Sequence, residues 1–140
     1  MSADFIDSNV FVYLFARSEP AKQSVAGDII TNGLRTGAAI SFQVVQETLN
    51  VITRKLPVPV TAADARDFLE AVLVPLWRGA PTPALYQRSL DLQARYRLSF
   101  YDSLIVAAAL LEGCTRIFSE DLQHGQHIEG LTINNPFLDS

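Results

Sequence analysis

Residues 99–111 have the sequence SFYDSLIVAAALL, which contains the longest uninterrupted apolar run of the chain. The pattern predicts a helix that is apolar on nearly every side and therefore buried. Ser99 is a candidate N-cap, and Gly113 marks the end of the helix. Asp102 lies in the first turn, where backbone N–H groups and the helix dipole favour a negative charge. A carboxylate at the tip of a buried helix either caps the helix or points into a site.

Length and composition favour a single globular domain spanning residues 1–140. A chain of 140 residues is long enough to bury one core, and 49% hydrophobic with 19% charged residues is not a disordered composition. Cys114 is the single cysteine, so no internal disulfide is possible, and no segment resembles a signal peptide or a membrane span. We therefore expect a cytoplasmic protein with no membrane association.

The order of predicted elements indicates an α/β fold. Strands are predicted at residues 3–6, 38–41, 116–119 and 131–133, with an extended edge segment at 74–77. Helices are predicted over residues 10–16, 20–34, 42–55, 61–72, 83–96 and 99–111. Strands separated by helices imply a mainly parallel sheet with helices on both faces. Ligands in such folds bind beyond the carboxyl ends of the strands.

Four acidic residues converge on that edge of the predicted sheet. Asp7 follows the first strand, and Asp121 follows the strand that ends at Ser119. Glu47 lies early in the helix that leaves the second strand, and Asp102 begins the helix that returns to the same edge. Each acid alone is better explained as a cap or a solvated charge. Four together are not, because unneutralised like charges in contact are destabilising.

Divalent cations would remove this conflict. Oxygen ligands without Cys or His partners suit Mg²⁺ or Mn²⁺ rather than Zn²⁺. Such ions activate water and bind phosphodiesters, so the pattern predicts metal-dependent phosphodiester hydrolysis. Among the short polar neighbours, Asn9 and Ser119 are the best candidates for support because they flank acids at strand ends. The formal charge of −4 does not favour nucleic acid, but bound cations would cancel the acids locally.

The residues around these acids resemble the four acidic motifs of PIN domains. The matching segments are Phe5-Ile6-Asp7-Ser8-Asn9-Val10, Gln46-Glu47, Phe100-Tyr101-Asp102-Ser103-Leu104-Ile105 and Phe118-Ser119-Glu120-Asp121-Leu122. Any one segment is weak evidence, whereas their order and spacing together are specific. In length, and in the lack of extra domains, the chain is most similar to VapC-type toxins of bacterial toxin–antitoxin pairs.

The resemblance implies a three-layer α/β/α sandwich and a Mg²⁺- or Mn²⁺-dependent endoribonuclease that acts as a toxin. It makes Asp7, Glu47, Asp102 and Asp121 the metal-binding and catalytic acids, with Asn9 and Ser119 in support. The family position matched by Ser119 is often Thr, and the serine keeps the hydroxyl. The resemblance also implies an RNA substrate, a cognate antitoxin and a homodimer.

Two other functions are open on the residues alone. A metal-dependent phosphatase would need a second Asp two residues after Asp7, where this chain has Asn9. A non-catalytic binding module would use the acids as helix caps. Trp77 and Arg78 are candidate RNA contacts, as are Lys and Arg residues elsewhere in the chain. An apolar anchor explains Trp77 equally well, and a solvated basic face explains the Lys and Arg residues.

Overall fold

A computed structural model describes residues 4–139; Ala3, the first residue of the first predicted strand, lies outside this range. The strands are β1 (Asp4–Ile6), β2 (Arg116–Phe118), β3 (His127–Ile128) and β4 (Leu131–Asn134). The helices are α1 (Ser8–Val12), α2 (Pro20–Thr36), α3 (Phe42–Arg54), α4 (Ala62–Phe68), α5 (Val74–Leu76), α6 (Pro83–Tyr96) and α7 (Phe100–Leu111). A 3-10 turn (Tyr13–Phe15) follows α1, and a π-helical turn (Leu69–Leu73) joins α4 to α5.

The strands form one mainly parallel sheet, as the sequence predicts. Its order is β1-β2-β4-β3, with β1 parallel to β2, β2 parallel to β4, and β3 antiparallel to β4. The sheet continues beyond β1 through isolated parallel bridges from Phe5 to Ala39 and from Ile40 to Trp77. The predicted strand at 38–41 is thus present only as isolated bridges. Strand β3 was not predicted, because a strand of two residues is too short to give a sequence pattern.

The extended segment predicted at residues 74–77 is wrong for most of its length. Val74–Leu76 is helical, and only Trp77 takes part in a bridge within the described residues. Leu73 and Leu76 are both buried, and a spacing of three residues puts them on one helical face. Pro75 is compatible with this because a proline is tolerated in the first turn of a helix.

Helices cover both faces of the sheet. Phe5 and Ile6 are both fully buried, and successive residues of a strand point to opposite faces. On the Ile6 face α2 approaches so closely that a Cβ added to Gly33 would lie 3.0 Å from Ile6 Cδ1. On the other face Phe5 lines a cavity together with Leu85 of α6 and Ala108 of α7. The fold is therefore the three-layer α/β/α arrangement predicted from the sequence.

The central helix α7 forms as its sequence predicts. Every residue from Ser103 to Ala109 is buried, and the Ser99 hydroxyl accepts a hydrogen bond from the Asp102 N–H at 3.1 Å. This cap fixes the start of the helix and so fixes where Asp102 stands. Neither α7 nor any other helix within residues 4–139 combines the length and the hydropathy needed to cross a bilayer.

Candidate active site

Asp7 is the most buried of the four predicted acids, with 6% of its surface exposed. It is the N-cap of α1, and its Oδ1 accepts from the Ser8 N–H at 2.7 Å. Its Oδ2 accepts from the Ser119 hydroxyl, also at 2.7 Å. Burial raises the pKa of Asp7 to about 6, opposed by the hydrogen bonds from Ser119 and Ser8, with the charges of Glu47 and Asp121 raising it further. Capping and membership of an acidic cluster are therefore not alternatives, because Asp7 does both.

Asn9 joins two of the acids through its side-chain amide. Its Nδ2 donates to Asp7 Oδ2 at 3.4 Å and to Asp121 Oδ2 at 3.2 Å. Its Oδ1 accepts from the Glu120 N–H at 3.1 Å. Asn9 therefore holds the segment after β2 against the start of α1, and its donors face both carboxylates.

Ser119 uses all the hydrogen-bonding capacity of its hydroxyl. It donates to Asp7 and accepts from the N–H groups of Asp121 and Leu122 at 3.2 and 3.3 Å. A hydroxyl offers one donor and two acceptor lone pairs, so each has a partner. The side chain is fully buried. The bend that carries Asp121 is in this way tied to the carboxylate of Asp7.

Glu47 reaches the same region from α3. Its Oε1 accepts from the Ser8 hydroxyl at 3.3 Å, and the carboxylate is half-buried. The pKa of Glu47 is raised, chiefly by burial and further by the charges of Asp121 and Asp102, while hydrogen bonds from Gln43 and Ser8 lower it. Glu47 thus interacts electrostatically with acids from two other segments of the chain.

A hydrogen bond from α3 to the first turn of α7 links Asp102 to the group. Gln43, one turn before Glu47, donates through Nε2 to the Tyr101 carbonyl at 3.2 Å. Gln43 is 5% exposed, and within residues 4–139 its Oε1 has no hydrogen-bond partner. Gln43 was not among the predicted site residues. Its signal is a polar side chain four residues before Glu47, which puts both side chains on the same face of α3.

Within residues 4–139, no three Asp, Glu, His or Cys side chains are arranged as a ready-made metal site. The donor set at the acidic edge is nevertheless all oxygen, which suits Mg²⁺ or Mn²⁺. Burial is the main cause of the raised pKa values of Asp7 and Glu47, and neighbouring carboxylates raise them further, so a cation would relieve that repulsion. The chemistry of the cluster therefore fits a hard divalent ion, provided that the carboxylates turn toward it.

Comparisons with known proteins identify the family and the fold of the chain. The PIN domain family matches residues 5–127, a range that contains all four acids. A search of the curated proteins finds no match. A solved toxin–antitoxin complex from Klebsiella pneumoniae is similar in structure, with a TM-score of 0.67, 20% identity, and 96% of this chain and 98% of that chain covered.

A second similar structure is VapC20 of Mycobacterium tuberculosis, described as a sarcin–ricin-loop-cleaving toxin. Its TM-score is 0.60, its identity 20%, and the match covers 84% of this chain and 91% of that chain. At 20% identity both structures support the fold, and the family match extends over most of the chain. The chain belongs to the PIN domain family.

Proposed function

We propose that this protein is a metal-dependent endoribonuclease and the toxin of a type II toxin–antitoxin pair. The observation that carries the proposal is the cluster itself, in which Asp7 is buried within reach of the charges of Glu47 and Asp121. A fold of this family that keeps such a repulsion at the carboxyl edge of its sheet is suited to binding cations and a phosphodiester.

The proposed ligands of Mg²⁺ or Mn²⁺ are Asp7, Glu47, Asp102 and Asp121. When bound, such ions supply an activated water and positive charge for the phosphodiester. The chain's own residues supply the positions: Asn9 and Ser119 orient Asp7 and the bend of Asp121, and Ser8 orients Glu47. Asp121 is exposed and Glu47 is half-buried, so both carboxylates are accessible to an ion from solvent.

The proposed partners are an RNA substrate, a cognate antitoxin and a second copy of the chain. The similar structure from Klebsiella pneumoniae is a toxin–antitoxin complex, and VapC20 is described as cleaving the sarcin–ricin loop, an RNA. The matched regions cover more than nine-tenths of both of those chains, and VapC20 is described as a toxin. These similarities support a toxin. That residues 1–140 form a single domain and act in the cytoplasm is part of the same proposal.

The test is cleavage of a single-stranded RNA by the purified protein, with Mn²⁺ or with EDTA. We expect cleavage with Mn²⁺, none with EDTA, and loss of cleavage in Asp102→Asn. The matched control is Asp67→Asn, which removes an exposed carboxylate from α4 and should cleave like the wild type.

Two outcomes would contradict the proposal. Hydrolysis of a phosphomonoester with intact RNA would favour a phosphatase on the same sheet. A wild type that neither hydrolyses RNA nor binds Mn²⁺ would favour a binding module in which the acids act as helix caps.

A further inference from the structure

Glu120 directly precedes Asp121, so the sequence puts two neighbouring carboxylates in one bend without distinguishing them. The structure gives them different partners. The Glu120 carboxylate accepts from the Tyr13 hydroxyl at 2.5 Å and from Lys22 Nζ at 3.2 Å. Asp121 instead accepts from Asn9, which also donates to Asp7. The carboxylates of the two adjacent acids therefore have different hydrogen-bond partners.

Tyr13, Lys22 and Glu120 form a closed ring of contacts, here called the Tyr13 clamp. The Tyr13 hydroxyl donates to Glu120 and accepts from Lys22 Nζ at 3.2 Å. Lys22 Nζ also lies 5.0 Å from the centroid of the Tyr13 ring. Hydrogen bonds to Tyr13 and Glu120 raise the pKa of Lys22, so the lysine stays charged and offsets the charge of Glu120.

The clamp ties together three segments that border the acidic cluster. Tyr13 lies in the 3-10 turn after α1, the helix that Asp7 caps, and Lys22 lies in the first turn of α2. Glu120 lies in the bend after β2. The Tyr13 ring packs on the ring of the buried Phe137, with 4.6 Å between the ring centroids, and this contact anchors the clamp to the core.

The bend that carries Asp121 is held by side chains. Asp121 is exposed and lies outside any helix or strand, so backbone ladders do not hold it. Its known restraints are the Ser119 hydroxyl on its N–H and the Asn9 amide on its carboxylate. Fixing the side chain of Glu120 removes freedom from the same short segment.

We infer that Tyr13, Lys22 and Glu120 are positioning residues that hold the bend so that Asp121 faces the other acids. On this view Glu120 is not itself a ligand, although it is adjacent to one. The inference rests on the proposed function in so far as Asp121 is taken to bind a cation.

The test uses Glu120→Gln, Tyr13→Phe and Lys22→Met in the full chain, with Lys22→Arg as the conservative variant. Three quantities are measured: Mn²⁺ affinity, kcat and KM for RNA cleavage, and amide hydrogen exchange over residues 119–123. The control is Arg88→Met. Arg88 lies on α6, outside the acidic cluster, and the substitution removes its ion pair with Glu129, in which Nη2 and Oε1 are 2.7 Å apart.

We expect each clamp variant to lose about 10-fold in Mn²⁺ affinity and in kcat, the scale seen when groups that orient metal ligands are removed. KM for RNA should stay near the wild-type value, and hydrogen exchange over residues 119–123 should become faster. Lys22→Arg should restore most of the loss, because it keeps a cation that can reach Glu120. Arg88→Met should leave affinity, kcat and local exchange unchanged.

Two results would overturn the inference. If Glu120→Gln alone lost Mn²⁺ binding while Tyr13→Phe and Lys22→Met kept it, Glu120 would be a direct ligand. If all clamp variants matched the wild type in affinity and exchange, the contacts would not position the bend. A wild type that neither binds Mn²⁺ nor cleaves RNA would refute the proposed function, and hydrogen exchange would then decide the inference by itself.

Discussion

The two carboxylates that Asn9 joins lie in opposite surroundings. Asp7 is 6% exposed and receives hydrogen bonds from a backbone N–H, from the Ser119 hydroxyl and from the Asn9 amide. Asp121 is exposed, and the contact described for its carboxylate is the one with Asn9. The first acid is fixed by the core of the fold, whereas the second depends on a bend held by side chains.

This difference indicates that the two carboxylates have different physical requirements within the same cluster. A buried carboxylate carries a desolvation penalty, which the protein tolerates where the charge is used. An exposed one carries little penalty but needs restraint to act at a defined place. We therefore expect substitutions at Asp7 to act through charge and stability, and substitutions around Asp121 to act through position.

Of the substitutions considered, Asp7→Asn should cause the greatest loss, in the rate of RNA cleavage. Loss of a preorganised charged group typically lowers kcat by about 10²–10³-fold, and we expect a loss of that size. Asp121→Asn should cleave more slowly than the wild type but lose less, since its carboxylate is less tightly held. Initial rates with Mn²⁺ measure both variants. Equal losses would remove the distinction between the buried and the exposed acid.

The next effect is on stability without metal. The pKa of Asp7 is about 6 in the fold against an ordinary value of 3.8, so ionisation of Asp7 opposes folding. The penalty is absent below the ordinary value, grows between the two pKa values and is complete above about pH 6, where it reaches about 3 kcal/mol at most. In EDTA, Asp7→Asn should therefore melt above the wild type near neutral pH.

The pH dependence is the sharper part of that prediction. The advantage of Asp7→Asn over the wild type should shrink as the pH falls from about 6 and should vanish well below 3.8, where Asp7 is protonated in both states. Asp121→Asn, an exposed substitution, is the matched control. A stability difference for Asp7→Asn that is the same at every pH would show that desolvation of the charge is not its cause.

The smallest expected effect is at Ser119, the residue that links the two acids. Ser119→Ala removes a donor to Asp7 and the acceptor of two backbone N–H groups, which should lower the free energy of unfolding by about 1–3 kcal/mol. Ser119→Thr keeps the hydroxyl and should lose less. Urea unfolding measures both variants, and a Thr variant less stable than the Ala variant would mean that the buried site rejects the extra methyl group.

Much of this arrangement follows from local patterns in the sequence. The apolar run of α7, its Ser99 cap and the position of Asp102 depend on residues close together in the chain, and the structure agrees with all three. The mainly parallel sheet also follows from the alternation of strands and helices. The roles of the four acids and of Asn9 and Ser119 stay predictions, although the geometry brings their segments together.

What the sequence did not predict depends on contacts between distant residues. Val74–Leu76 is helical because the turn before it continues from α4 and buries Leu73 and Leu76, which an extended pattern around Pro75 conceals. Ser41 occupies the N-cap position of α3, yet within residues 4–139 its hydroxyl makes no cap hydrogen bond. The sequence also does not show that Glu120 and Asp121 have different partners, because Tyr13 and Lys22, which contact Glu120, are about 100 residues away in the chain.

If carboxylates from separate segments share a cation, Mn²⁺ binding should depend on each of them. Titration of the wild type, Asp7→Asn and Asp102→Asn by calorimetry, with the melting temperature recorded alongside, compares the acid between β1 and α1 with the acid in the first turn of α7. We expect Mn²⁺ to bind the wild type and raise its melting temperature with concentration, and to do so much more weakly in both variants. Either variant binding Mn²⁺ as tightly as the wild type would contradict the shared site.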